Sequence, residues 1–131
     1  MFSILNKGFV GFLKHRYTQI ERFMHNPVET QNQVLGTLIN SAKNTEWGKL
    51  HHYHSMGHKN DFKERVPVQD YDQIRPWIDR MLAGEQNLLW HSHIHWFAKS
   101  SGTTSDKSKF IPVSQEALRG CHQKAGLDVM A

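Results

Sequence analysis

The residues best suited to chemistry lie in one short run, Ser100-Ser101-Gly102-Thr103-Thr104-Ser105-Asp106-Lys107-Ser108-Lys109. Apart from Gly102 and Asp106, every side chain in it carries a hydroxyl or an ammonium group. Successive backbone N–H groups in such a turn form a concave anion nest, hydroxyls add hydrogen bonds to phosphate oxygens, and lysines supply charge. Gly102 gives the backbone the freedom a tight turn requires. The run therefore suits a polyphosphate. It is not a Walker loop, which needs glycine directly before Lys-Ser/Thr and a helix directly after. Here Asp106 precedes Lys107-Ser108, and the extended text Lys109-Phe110-Ile111-Pro112 follows. Composition alone equally allows a surface hairpin turn rich in Ser, Thr and Gly.

Other chemistry-bearing residues carry weaker patterns. His91, His93 and His95 alternate, so on a strand they would share a face, but the run offers no fourth ligand or carboxylate for a metal. They read as a polar strand face, and His51, His52, His54 and His58 as loop histidines. Asp70, Asp72, Asp79 and Glu85 do not form an acid/base pair on a helix: Asp70 is a cap, and Asp72 and Asp79 take the solvated side. Trp77, Trp90 and Trp96 read as core or interface aromatics. Cys121 sits on a predicted helix with apolar neighbours, where a thiol is inert. No metal site and no catalytic side chain is assigned.

The elements that must position the hydroxyl-rich run follow from pattern. Leu5, Phe9, Phe12, Leu13, Tyr17, Ile20 and Met24 recur at steps of three and four, which predicts a first helix packed on a core. Its basic, acid-poor start would also suit a presequence or a membrane-surface helix, but the periodicity favours packing. Asn26-Pro27 ends it and starts a second helix, with Glu29 completing a capping-box-like signal, and the two are expected to form a hairpin. The second helix should run to about Asn44, with Val34, Leu35, Leu38, Ile39 and Ala42 on one face.

Thr45 to Asn60 reads as loop with at most one helical turn, and Asp61 to Arg65 as a short helix ended by Val66-Pro67. Asp70 caps a clearer helix whose inner side is Ile74, Trp77, Ile78, Met81 and Leu82, closed by a left-handed Gly84. Ile94 to Ala98 and Lys107 to Val113 then read as extended, with the small polar residues between them. Ser114 is a good N-cap for a final helix whose apolar side is Leu118, Cys121 and Ala125.

Composition bounds the classes. The chain of 131 residues suits one ordinary domain or part of one, and 38% hydrophobic residues are enough for a core. The net charge of +4 comes mostly from Lys7, Lys14, Arg16 and Arg22 in the first helix, without the clustered basic and aromatic text of a nucleic-acid binder. Lysines interrupt every candidate membrane span. One cysteine permits no intramolecular disulfide and fits a reducing compartment, with the cytoplasm as default.

The text from Trp96 to Ser114 resembles the phosphate-loop motif of the acyl-acid amido synthetases named for the auxin-responsive Gretchen Hagen genes of plants, and their bacterial relatives still more closely. Upstream text agrees in order and spacing: Thr45-Glu46-Trp47-Gly48-Lys49, Asp61-Phe62, Val66-Pro67-Val68-Gln69-Asp70-Tyr71, Ile74-Arg75-Pro76-Trp77-Ile78-Asp79-Arg80 and Gly84-Glu85. The resemblance covers about residues 30 to 131. It implies an α/β fold of the adenylate-forming type, of which this chain would be the N-terminal part of the adenylating domain, mostly helical with a strand–loop–strand near residues 94–113. It also implies an ATP- and Mg²⁺-dependent ligase. A carboxylic acid would form an acyl-adenylate, and an amine or amino acid would displace AMP. Ser100, Ser101, Gly102, Thr103 and Thr104 match the phosphate-gripping core, Lys109 matches the lysine before the closing proline, and Lys107 is a further cation of the same loop. Ser105-Asp106 departs from the plant pattern, which commonly has glycines there. The acid, adenine and acceptor sites are expected beyond this text, so a truncated chain inactive by itself is the expectation.

Overall fold

The computed structural model describes residues 2–57, 59–101 and 108–129, with side chains described from residue 8 onward. It is mostly helical, with one two-stranded antiparallel sheet, as the sequence predicts. The chain divides into two compact units, Met1–Gln33 with Glu116–Ala131, and Val34–Gln115.

In the first unit α1 spans Phe2–His25 and α2 begins at Pro27. The chain then returns through α6 (Gln115–Ala117), a π-helical segment (Leu118–Gln123) and α7 (Lys124–Asp128). The partner of α1 is α7 rather than α2. Arg16 reaches across with a bidentate guanidinium, Nη2 donating to Asp128 Oδ2 at 2.9 Å and Nε to Oδ1. The hydrogen bonds from Arg16 hold the Asp128 carboxyl below its ordinary range.

The packed first helix expected from its period is only partly realised. Leu13 and Ile20 are half-buried, whereas Phe9 (47% exposed), Phe12 (48%), Tyr17 (53%) and Met24 (73%) remain largely open. Periodicity gathers apolar side chains on one face, but burial requires a partner as long as that face, and α7 has five residues. Cys121 is likewise exposed rather than apolar-lined. It lies in the π segment, whose wider turn shifts side chains off the 3.6-residue period on which the inner face was predicted.

The second unit carries the core. The end of α2 (Pro27–Ala42) buries Ile39 and Ala42 against Trp47 and Tyr53, with Phe62, Ile74 and Trp77 packed around them. Val34 and Leu38 of the predicted face stay about half-exposed. Text expected to be loop with at most one helical turn contains both α3 (Glu46–Leu50) and a 3₁₀ turn (Tyr53–Ser55). Thr45 makes that helix possible. Its hydroxyl donates to the Ala42 carbonyl at 2.7 Å and accepts from Gly48 N at 2.9 Å, and the residue is fully buried. Gly48 is required by approach, since a Cβ there would fall inside van der Waals contact of the Ala42 carbonyl.

Helix α4 (Lys59–Arg65) precedes α5 (Tyr71–Leu82). Asp70 and Gln73 form the full capping box at its start. Gly84, at φ +100°, closes its end, with Gly84 N on Met81 O at 3.0 Å and Glu85 N on Arg80 O at 3.1 Å. Ile78 and Met81 are buried as predicted, and Leu82 is 43% exposed. Asp72 and Asp79 face solvent, each beside Arg75. A second cluster joins Met81, Leu88 and Ile94 to Trp77, Trp90 and Phe97.

The sheet pairs β1 (Trp96–Lys99) with β2 (Phe110–Val113), Trp96 opposite Val113 and Lys99 opposite Phe110. Pairing begins two residues later than Ile94. That residue is instead held by one side chain: Gln86 Oε1 accepts from Ile94 N at 2.9 Å, and Gln86 Nε2 donates to Ile94 O at 3.3 Å. Trp96, expected as core or interface, is 62% exposed. Among the described residues no helix is long and apolar enough to cross a membrane.

Candidate functional site

The run between β1 and β2 is the candidate phosphate loop. Its tip lies outside the described residues, so Gly102, Thr103, Thr104 and Lys107 are not placed, and Ser105 and Asp106 fall with them. Its stem is placed. Ser100 and Lys109, opposite each other beyond the last strand pair, close the ladder: Ser100 N donates to Lys109 O at 2.9 Å, and Lys109 N donates to Ser100 Oγ at 3.0 Å. A serine hydroxyl thus substitutes for a carbonyl at the mouth of the loop. Ser100 and Lys109 are half-buried, while Ser101 and Ser108 stand open to solvent.

Two cations flank this mouth, each beside a ring. Lys99 Nζ lies 5.8 Å from the centre of Phe110, and Lys109 Nζ 5.5 Å from the centre of Tyr71. Tyr71 also bonds the backbone of Phe110, with its hydroxyl accepting from Phe110 N at 2.8 Å and donating to Phe110 O at 3.3 Å. The sequence names Ser100, Ser101 and Lys109 as candidates and assigns no role to Tyr71 or Lys99. The available signal for Tyr71 was a phenol placed directly after a helix cap, which fixes where its hydroxyl can reach.

The scaffold behind the hairpin is tied by Arg80 near the end of α5. Its guanidinium donates to Glu46 (2.9 and 2.8 Å) and to Glu85 (2.7 Å), and lies 5.3 Å from the centre of the Trp77 ring. Those bonds raise the Arg80 pKa, Glu46 contributing first, and lower both carboxyls below their ordinary range. Glu46 N and Trp47 N, free donors at the start of α3, are met at 3.0 Å by the carbonyls of Asn87 and Leu88. Asn87 adopts φ 57°, which asparagine tolerates. The segment leading into β1 is thereby fastened to two helices. Elsewhere, burial pushes the Tyr53 phenol up, partly offset by the hydrogen bond that Trp47 Nε1 donates at 3.2 Å.

The described stem, residues 99–101 and 108–113, has hydroxyls, backbone donors and two ammonium groups, and no carboxylate. It fits an anion rather than a bare metal ion. Among the described residues no group of three or more His, Cys, Asp or Glu converges on a metal position.

This chain matches the solved GH3.15 acyl acid amido synthetase with a TM-score of 0.75 at 30% identity, over 84% of its own length and 20% of that chain. Residues 16–131 match the GH3 family N-terminal domain, and the chain belongs to the GH3 family. Indole-3-acetic acid-amido synthetase GH3.2 of Arabidopsis thaliana is 34% identical over 100 residues, which cover 76% of this chain and 18% of that protein. Probable indole-3-acetic acid-amido synthetase GH3.2 of Oryza sativa subsp. japonica is 32% identical over 89 residues, 67% of this chain and 14% of the relative. The chain thus spans between 14% and 20% of the length of these proteins.

Proposed function

We propose that this chain supplies the phosphate-gripping hairpin of an ATP-dependent ligase that joins a carboxylic acid to an amine through an acyl-adenylate, as the N-terminal part of its adenylating domain. One observation carries the reading: the Ser100–Lys109 pair closes β1 on β2, so the hydroxyl-rich run leaves and re-enters the sheet at adjacent points. Family membership supports it.

In this reading Ser100, Ser101, Thr103 and Thr104 hydrogen-bond the β- and γ-phosphates of ATP, and Gly102 lets the backbone amides turn inward. Lys109 and Lys107 offset the charge that builds on departing pyrophosphate. Mg²⁺ arrives bound to the nucleotide. The acid's carboxylate oxygen attacks the α-phosphorus and pyrophosphate leaves. The amine nitrogen then attacks the acyl carbon, AMP leaves and the nitrogen loses a proton, giving the amide. Indole-3-acetic acid is the acid for which the plant relatives are named, and the acceptor in this reading is an amine or amino acid. A cytoplasmic setting fits the lone Cys121.

Titration of the 131-residue chain with Mg-ATP tests the reading. Saturable binding is expected, weakened about tenfold or more in the double variant Ser101→Ala, Thr103→Ala. No binding, or binding indifferent to that variant, overturns it. ATP consumption with a carboxylic acid by the purified chain alone would contradict the assignment of the acid site to other family sequence.

The exposed apolar stripe of α1 favours a second reading, a non-catalytic module that docks on a membrane or partner. Co-sedimentation with anionic vesicles, with no nucleotide affinity, would select it.

A further inference from the structure

Antiparallel pairing leaves every second residue of an edge strand with its N–H and C=O turned away from the partner. In β2 the first such residue is Phe110, next to the Ser100–Lys109 closing pair and opposite Lys99. Both of its outward groups are met by one atom, the Tyr71 hydroxyl, at 2.8 and 3.3 Å. A hydroxyl can do this because it has one donor and two acceptor lone pairs. No apolar side chain could, and the part-buried N–H and C=O would then lack a partner.

The phenol is fixed from the other side as well. Tyr71 is the first residue of α5, directly after the N-cap Asp70 and inside the Asp70–Gln73 capping box, so the helix start sets where its ring projects. That ring lies 5.5 Å from Lys109 Nζ. One side chain therefore governs both the first residue of the exit strand and the lysine beside it.

We propose that Tyr71 is a positioning residue of the phosphate loop, whose hydroxyl anchors the loop's exit at Phe110 while its ring orients Lys109 toward the mouth. This rests on the nucleotide reading for its functional half; the anchoring half stands on geometry alone. Holding the two ends at a set separation before ligand arrives lowers the ordering cost of binding, so the hydroxyl contributes to affinity without touching phosphate.

The test compares the unaltered chain with Tyr71→Phe, Tyr71→Leu and, as a control for general loosening, Ile39→Val. Amide exchange at Phe110, the side-chain proton shifts of Lys109, and affinity for Mg-ATP and inorganic tripolyphosphate are measured. In Tyr71→Phe, exchange at Phe110 rises about tenfold. Affinity for both ligands falls about three- to tenfold, while the ring-current shift of Lys109 persists. Tyr71→Leu loses that shift and binds more weakly still. Ile39→Val moves neither the shift nor the affinities. Tyr71→Phe binding tripolyphosphate as tightly as the unaltered chain, or exchanging Phe110 at the unaltered rate, overturns the proposal while the nucleotide reading stands. If the unaltered chain binds neither ligand, the nucleotide reading falls and takes the functional half with it.

Discussion

Helices α1 and α5 carry the same kind of pattern, apolar residues at steps of three and four, and meet different fates. In α5, Ile78 and Met81 are 4% and 3% exposed, and the helix is capped at its start and closed by Gly84 at its end. In α1, Phe9, Phe12 and Tyr17 stay about half-exposed, and Arg16–Asp128 is the tie to α7. A face of apolar side chains is a property of the helix; its burial is a property of what lies opposite. The scaffold of the hairpin belongs to the first case.

Substitutions should divide the same way. The largest expected effect is Trp47→Ala, at about 3–5 kcal/mol in urea unfolding, because the indole is 9% exposed and packs edge-on to Trp77 at 5.3 Å. A loss below about 1 kcal/mol would mean that this core is no tighter than α1. Gly48→Ala should follow at roughly 3 kcal/mol, since the added methyl meets backbone that cannot swing away. Thr45→Val, which keeps shape but leaves Gly48 N unmet, should cost about 1–2 kcal/mol, with Thr45→Ser close to unaltered.

Acid tests the polar ties in both regions. The Glu46, Glu85 and Asp128 carboxyls have folded pKa values below their unfolded ones. Their contribution is therefore present above the ordinary carboxylate range, near pH ~4, and is lost as pH falls through the lower folded values. The midpoint difference between the unaltered chain and Arg80→Gln should shrink from pH 7 toward about pH 3, and a constant difference would rule out this linkage. Smallest of all, Phe12→Ser and Tyr17→Ser should stay within about 0.5 kcal/mol. A loss several times larger would show α1 to be as well packed as α5.

Much of this was legible where the signal was local. Asp70 and Gly84 mark the two ends of α5 because a cap and a left-handed residue act within a few positions. The hydroxyl-rich run between two extended pieces marked the hairpin, and the motif text marked the family. Reading failed where the deciding partner was distant. α3 reads as no more than a turn because its first donors are met by Asn87 and Leu88, far along the chain. The start of β1 was misplaced because Gln86, not a strand, satisfies Ile94. Tyr71 has no role legible in the sequence, because its partner Phe110 is brought beside it only by the fold.

By itself the sequence determined the ends of α5, the apolar faces of the longer helices and the residue types offered to an anion, because each depends on neighbours within a turn or two. Only the tertiary structure decided which apolar face found a partner, which buried Thr holds α3, and which phenol anchors the hairpin. Those outcomes depend on groups brought together from remote positions, and no local spacing encodes that meeting.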